Sequence, residues 1–196
     1  TSTSTGTITY SVTSGPATLA GNTVTLPGPV TVVLGASQVA SGSYPAASAA
    51  ATFKVSPATP TLAFAPVAGK TYGAASFAVT ATSASSGAII YAVTSGPATI
   101  SGNIVTITGT GPVVLGASQA ANGNYTAATA ATTFTVAPAT PILTFVPISS
   151  QTYGNQPFGV TATSSVNGIV SGASASTGAI TYSVTSGPAT LAGNTV

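Results

Sequence analysis

Residues 89–119 read IIYAVTSGPATISGNIVTITGTGPVVLGASQ. Apolar side chains alternate with small or polar ones in three runs of this stretch, at Ile89–Val93, Val105–Ile107 and Val113–Ala117. A period of two is typical of a strand with one buried face. Ser101-Gly102-Asn103 separates two of the runs and has the composition of a turn, because Gly accepts positive φ and Asn forms local side-chain turns. The stretch therefore predicts consecutive short β-strands.

The same alternation continues on both sides of this stretch. It occurs at Leu62–Phe64 and Phe77–Ala81 before it and at Phe134–Val136 after it. No segment shows the 3.6-residue spacing of an amphipathic helix. Seven or so short strands in about 80 residues, with Gly-, Pro- and Asn-containing turns between them, predict an all-β Greek-key sandwich of the immunoglobulin type. The inward-facing Val, Ile, Leu, Phe and Tyr side chains would form its core.

Three tyrosines and two alanine-rich segments are interpreted in the same way. Tyr10, Tyr91 and Tyr182 occupy equivalent positions in a strand pattern, so we expect all three in the core. Residues 46–51 and 127–131 are alanine-rich, which alone would favour a helix. Because both segments are short and run directly into the strand patterns that follow them, we expect them to be extended.

The chain is internally repetitive. Four strings recur, namely TSGPAT at 13–18, 94–99 and 185–190, LGASQ at 34–38 and 115–119, PATP at 57–60 and 138–141, and TYG at 71–73 and 152–154. Most offsets are 81 residues, and the second step of TSGPAT is 91 because of ten extra residues at 166–175. A spacing of 81 is too long for a solenoid repeat and fits one small domain per repeat. The sequence thus predicts tandem immunoglobulin-like Greek-key β-sandwich modules.

The proline-rich PATP strings predict the module boundaries. Proline fixes its own φ and restricts the preceding residue, so we interpret 57–60 and 138–141 as short, stiff linkers. A complete module then spans 61–137. Residues 1–56 are the C-terminal part of a preceding module, and residues 142–196 are the N-terminal part of the next one, with the loop insertion at 166–175.

The two ends of the chain share sequence, since residues 173–196 match residues 1–24 at 21 positions. The two partial modules together contain every strand of one sandwich, and neither alone can close its core or cover its sheet edges. Two explanations stay open. The polypeptide continues beyond both ends, which is simpler and which we prefer, or the end of one chain completes the start of the next in a head-to-tail contact that builds a filament.

The chain carries almost no charge. Its 196 residues include no Asp, Glu, His or Cys, and Lys54 and Lys70 are the only charged side chains. With 44% hydrophobic residues it is unlike an ordinary disordered chain. Ser, Thr and Gly interrupt every apolar run well short of the roughly 18 residues of a spanning helix. Two lysines provide too few phosphate contacts for nucleic-acid binding. We therefore expect neither a membrane-spanning segment nor a nucleic-acid partner here.

The missing residue types also remove the usual chemistry. General acid–base catalysis needs His, Asp, Glu or Cys, and metal sites need thiolate, imidazole or carboxylate ligands. We therefore predict no catalytic residue, no metal site, no cofactor and no enzymatic activity. Gly69-Lys70-Thr71 resembles the end of a phosphate-binding loop, but the upstream glycine of that motif is replaced by Phe64. Lys54 lies in a strand between Phe53 and Val55, so we expect it to face solvent.

The repeat also resembles a known family. The run from Tyr91 through Gly102-Asn103 to Gly123-Asn124-Tyr125, followed by Phe134–Val136 and the linker at 138–141, is similar to the mostly-bacterial immunoglobulin-like tandem-repeat family of large secreted and cell-surface proteins. The resemblance covers the whole chain in one complete and two partial copies. It implies an immunoglobulin-like fold, an extracellular or cell-surface location, and a role as a spacer, stalk, adhesive or filament-forming segment. Many such modules bind Ca²⁺ through acidic residues at their junctions, and this chain has none.

Two functions remain after these exclusions. The first is a structural repeat unit of an extracellular filament, stalk, sheath or surface layer. Its modules would associate with one another through uncharged Thr-, Ser- and Val-rich β surfaces, because charge normally protects exposed strands from association. The alternative is an adhesin module that binds surface carbohydrate or a cell-surface partner through loops, with the insertion at 166–175 as one candidate. Drift in a tolerant surface loop also explains that insertion, and we favour this explanation.

Asn124 is a possible glycosylation site. Asn124-Tyr125-Thr126 matches the N-glycosylation acceptor pattern of Asn, any residue except Pro, and Ser or Thr. The many Ser and Thr residues also leave O-glycosylation open, without indicating a position.

Overall fold

The computed structural model describes residues 3–166 and 178–196, and all regular structure in these residues is β. The sixteen strands of the described residues are β1 Ile8–Ser14, β2 Thr18–Ala20, β3 Thr23–Thr25, β4 Thr31–Gln38, β5 Ala47–Lys54, β6 Leu62–Phe64, β7 Lys70–Thr71, β8 Phe77–Ala78, β9 Ala81–Ser83, β10 Ile89–Ser95, β11 Ala98–Ser101, β12 Ile104–Ile107, β13 Gly111–Gln119, β14 Ala128–Ala137, β15 Pro141–Phe145 and β16 Ala162–Val166. Apart from Val166, the insertion predicted at 166–175 lies outside the described residues.

The strand order of the central copy is that of an immunoglobulin-like sandwich. One sheet has the order β10-β13-β14-β7, and β7 runs parallel to β14. The other has the order β11-β12-β8, and the chain continues from β8 through Val79 into β9, which pairs with β6. These are the two groups of strands that an immunoglobulin fold separates into its two layers. The predicted fold class is confirmed, and the two alanine-rich segments are strands, as expected.

Contacts along the chain define two compact units. The first comprises residues 1–64, 81–90 and 117–130. It contains the three-stranded sheet β1-β4-β5, the hairpin β2-β3 and the pair β6-β9. The second comprises residues 65–80, 91–116 and 131–196 and contains β7, β8, β11, β12 and the pair β15-β16. The module boundaries at 57–60 and 138–141 stay a prediction.

The side chains predicted to point inward in the central copy form its core. Val105, Val113, Leu115 and Val136 are almost completely inaccessible to solvent. The rings of Phe77 in β8 and Phe134 in β14 meet edge to face, with 5.7 Å between their centroids. This contact joins a strand of one sheet to a strand of the other, as in a closed sandwich. The other buried apolar residues of this copy are Leu62, Val79, Ile107 and Ala117.

The same backbone pairing recurs at the 81-residue offset in the C-terminal partial copy. Leu143 lies opposite Ser164 in the pair β15-β16, as Leu62 lies opposite Ser83 in the pair β6-β9. The N–H of Val160 donates to the carbonyl of Asn194 at 2.8 Å. In the central copy the N–H of Val79 donates to the carbonyl of Asn103 at 2.9 Å. Equivalent sequences therefore make equivalent hydrogen bonds.

The N-terminal partial copy keeps the sheet but only part of the burial, since Val32 is fully buried, like its counterpart Val113, while other apolar side chains are exposed. Its strand order β1-β4-β5 repeats β10-β13-β14. The expectation that Tyr10 lies in the core is wrong, because 53% of its surface is exposed. Tyr91 and Tyr182 are half-buried. A strand pattern determines which face a side chain occupies, whereas its burial depends on what covers that face.

Candidate association surface

One face of the sheet β1-β4-β5 is apolar and only partly covered, because Val32 on this face is fully buried whereas Ile8, Tyr10 and Phe53 are not. Residues directly opposite each other on paired strands point to the same side. Tyr10 lies opposite Ala36, and Phe53 lies opposite Val32. The side chains of Ile8, Tyr10 and Phe53 are 40%, 53% and 36% exposed. The set Ile8, Tyr10, Leu34, Ala36 and Phe53 is called the open face below.

A groove of about 620 Å³ lies over one end of the open face. Its lining combines apolar side chains with one amide and contains no charged group. The apolar and amide part consists of Ile8, Tyr10, Ala36, Gln38, Ala47 and Ala49. A concave apolar surface of this kind can bury side chains from another segment without removing a charge from water.

The strand β15 presents a second uncovered apolar surface. Ile142, Leu143 and Phe145 are 45%, 62% and 52% exposed. Phe145 touches Tyr182 edge to face, with 6.1 Å between ring centroids, and the Tyr182 hydroxyl accepts a 3.1 Å hydrogen bond from the N–H of Ala162. The strand is thus held in place while much of its apolar surface remains in contact with solvent.

The central copy shows how these side chains behave when they are covered. Leu62, the counterpart of Leu143, is 8% exposed, whereas Leu143 is 62% exposed. Phe134, the counterpart of Phe53, is 5% exposed, whereas Phe53 is 36% exposed. The residue types and strand pairings are the same in each comparison. The difference in exposure therefore reflects how much of each face the described residues cover, and not the local sequence.

Apart from Lys54 at the end of β5, the outward-facing strand positions of the described residues are also uncharged. On β14 the exposed residues are Thr129, Ala131, Thr133, Thr135 and Ala137. Ile90, which faces outward from the edge strand β10, is 67% exposed. Such surfaces lack the lysines that normally discourage edge-to-edge pairing.

The two lysines have different surroundings. Lys54 ends β5 and is exposed, as its strand position predicted. Lys70 begins β7, and its Nζ lies 4.5 Å from the centre of the Phe77 ring. A cation placed over an aromatic face is stabilised by the ring quadrupole. Lys70 and Thr71 themselves form the strand β7. A phosphate-binding loop is instead followed by a helix, so Gly69-Lys70-Thr71 does not have the structure of such a loop.

Asn124 lies in the loop between β13 and β14 and is exposed. Its Nδ2 donates to the carbonyl of Pro27 at 3.3 Å. Its backbone carbonyl accepts a hydrogen bond from the N–H of Ala58 at 2.8 Å. A glycan on Nδ2 would replace one of the two protons available for the contact with Pro27. Glycosylation at Asn124 stays a prediction.

Comparison with known proteins gives a structural likeness but no sequence relative. No protein-family model matches the chain, and no curated protein matches it. Among solved structures, the chain is similar to the crystal structure of Drosophila N-cadherin EC1-4, with a TM-score of 0.33 and 12% sequence identity. The match covers 84% of this chain and 52% of the cadherin chain, so this chain spans about half the length of that structure. Among the described residues, no helix is long and apolar enough to cross a membrane.

Proposed function

We propose that the chain is a structural repeat unit of an extracellular filament, stalk, sheath or surface layer, like members of the mostly-bacterial immunoglobulin-like family that it resembles. One observation supports this most directly. The open face and β15 expose large apolar side chains, and the whole chain has only two charged side chains to oppose association. The proposal includes self-association as the main partnership of these modules.

Exposed apolar surface and the near absence of charge both favour association of these modules. Burying apolar surface contributes roughly 25 cal/mol for each Å² removed from water. Ile8, Tyr10 and Phe53 on one surface, and Leu143 and Phe145 on another, offer such area within ordered strands. Charges on strands and a net charge away from zero normally oppose this gain. Here that opposition is almost absent.

We also propose that the chain has no catalytic role. A Ser or Thr nucleophile needs a neighbouring base, and in a chain without His, Asp, Glu or Cys only the two lysines could provide one. Lys70 lies against the Phe77 ring, and Lys54 is exposed at the end of a strand. Neither environment resembles the desolvated pocket that activates a lysine.

Electron microscopy of native material tests the proposed function. We expect fibres, stalks or layers in which the repeat is visible as a regular subunit. Immunogold labelling with an antibody raised against the chain would identify the assemblies and show whether they lie outside the cell. Labelling confined to dispersed particles, or to the cell interior, would contradict the proposal.

A further inference from the structure

We propose that the turn at 27–30 of the N-terminal copy is a docking surface for the loop at 122–126 of the central copy. The turn lies between β3 and β4, and the loop lies between β13 and β14. The turn, the loop and the linker at 57–60 all belong to the first compact unit. The partner of this surface is the next copy of the same polypeptide, so the contact does not require association between separate chains.

The linker is paired with this loop. The N–H of Ala58 donates to the backbone carbonyl of Asn124 at 2.8 Å, and the N–H of Thr126 donates to the carbonyl of Ala58 at 2.9 Å. Ala58 thereby forms a parallel bridge with Tyr125. Because both backbone groups of Ala58 are hydrogen-bonded, the middle of the linker is held against the loop and is not free to swing.

The side chain of Asn124 makes the contact with the preceding copy. Its Nδ2 donates to the carbonyl of Pro27 at 3.3 Å. A Cβ added to Gly28 would lie 2.7 Å from the Oδ1 of Asn124, and the three atoms nearest to that Cβ all belong to Asn124. Gly28 has no positive φ, so the contact uses its missing side chain rather than the conformational freedom of glycine. The amide therefore fits against the turn because residue 28 has no Cβ.

An asparagine suits this contact in a chain with so little charge. Its amide donates through Nδ2 and accepts through Oδ1, and neither atom carries a charge that would have to leave water. The turn, the linker and the loop contain no charged residue. Because salt screens interactions between charges, we expect the docking to depend little on ionic strength.

The loop keeps its own conformation when a serine replaces this asparagine. Ser43 is the counterpart of Asn124 in the N-terminal copy. There Ser41 and Tyr44 exchange two backbone hydrogen bonds of 3.0 and 3.1 Å, and the equivalent two hydrogen bonds in the central loop are both 3.0 Å. The asparagine is therefore not needed to form the loop. It adds the contact with the preceding turn.

Two connections at separate points restrict bending at this junction. The covalent linker carries prolines at 57 and 60, which limit the rotation of its backbone. The side chain of Asn124 adds a second connection, through space, between the loop and the turn. A junction with one connection can swing about it, whereas a junction with two is closed. Asn124 is thus a positioning residue of the junction, and Gly28 is the matching feature of the turn.

Distance measurements between two spin labels test the docking. The chain contains no cysteine, so Thr52→Cys in β5 and Thr129→Cys in β14 provide two unique labelling positions. Both threonines are exposed and belong to the first compact unit. Dilution of the labelled chain with an excess of unlabelled chain removes distances between molecules. In double electron–electron resonance we expect one narrow distance peak for the docked junction.

Two variants disrupt the contact from opposite sides. Asn124→Ser removes the amide and keeps the loop, and Gly28→Ala places a methyl group where the amide lies. In each variant we expect the fraction of distances outside the narrow peak to rise by about two- to fivefold, as for the loss of one hydrogen bond. Asn155→Ser and Gly159→Ala are the matched controls and should leave the peak unchanged, because Asn155 bonds only to nearby residues and Gly159 has open space around it. Circular dichroism verifies that every variant keeps its strands.

The double variant shows whether the two residues act together. If Gly28 serves to admit the amide, Gly28→Ala causes no further change once Asn124→Ser is present. Additive effects would contradict the pairing of these two residues. A distribution that is already broad in the unmodified chain, or that stays narrow in both single variants, would overturn the docking itself. None of these results depends on association between chains, so the proposed function is tested separately.

Discussion

At the scale of single residues, the TSGPAT string is explained by its glycine. Gly96 has φ +99 and Gly15 has φ +94, in the region where residues with a Cβ are strained. A Cβ on Gly96 would lie 2.7 Å from the Cα of Val113, and one on Gly15 would lie 2.7 Å from the carbonyl oxygen of Thr31. In these two copies the turn passes too close to the neighbouring strand for any side chain, whereas Gly187 in the third copy shares the positive φ, at +102, but has open space around it.

Gly96→Ala is expected to destabilise the chain by about 2 kcal/mol or more, because backbone strain adds to a clash with rigid main-chain atoms. Urea unfolding measures this loss of free energy. Gly102→Ala is the matched control, since Gly102 also has positive φ but has open space around it. Gly102→Ala should lower the free energy of unfolding by only about 1 kcal/mol, because it adds backbone strain at positive φ but no clash. Equal effects of the two substitutions would mean that close approach plays no part.

Gln119 is a second structural residue, and sequence reasoning missed it. It follows Val113, Leu115 and Ala117 at the next inward position of β13, and only 2% of its surface is exposed. Its Nε2 donates to the carbonyls of Ser85 and Gly87. Gln38 makes the equivalent bonds in the N-terminal copy. The available signal was a glutamine at an inward position of the repeated string LGASQ.

Gln119→Leu should destabilise the chain by about 1–3 kcal/mol, because two backbone carbonyls lose their donor. Chemical denaturation followed by tyrosine fluorescence gives the value. Gln151→Leu serves as the control, since Gln151 is exposed and bonds only to nearby residues, and it should change stability by less than about 0.5 kcal/mol. If Gln119→Leu leaves the free energy of unfolding unchanged, water replaces the amide at these carbonyls without a loss of stability.

At the scale of elements, periodicity predicted the strands well and their burial only in part. Residues 46–51 and 127–131 proved to lie in or lead into β5 and β14, because the chain beyond them alternates with a period of two. Tyr10 was assigned to the core on the same pattern and is exposed instead. The pattern is local, whereas burial requires strands that arrive from another part of the chain or from another molecule.

Ile90→Lys should weaken lateral association of the modules. Ile90 faces solvent from β10, an edge strand of its sheet, and a charge there protects the edge from pairing. Light scattering at increasing concentration should show a smaller mean mass than for the unmodified chain. Ile90→Thr, an uncharged strand former, should stay close to the unmodified behaviour. If the lysine and threonine variants scatter alike, charge is not what limits association at this edge.

At the scale of the whole molecule, the absence of acidic residues and histidine predicts insensitivity to pH. Side chains that titrate between about pH 3 and 9 are Asp, Glu, His and Cys, and the chain contains none of them. An ionisable group makes the free energy of unfolding depend on pH only when it binds protons differently in the folded and unfolded states. The Tm should therefore change by less than about 2 °C between pH 4 and 9. Calorimetry that reveals a steep acid transition in this window would refute the prediction.

We propose that uncharged, incompletely covered β surfaces make this chain a self-associating structural repeat. Sedimentation equilibrium of the unmodified chain, over a wide range of concentration and at low and high salt, tests it most directly. We expect a mean mass that rises with concentration and depends little on salt, because apolar burial rather than ion pairing provides the free energy of association. A single 18.5 kDa species at every concentration would contradict it.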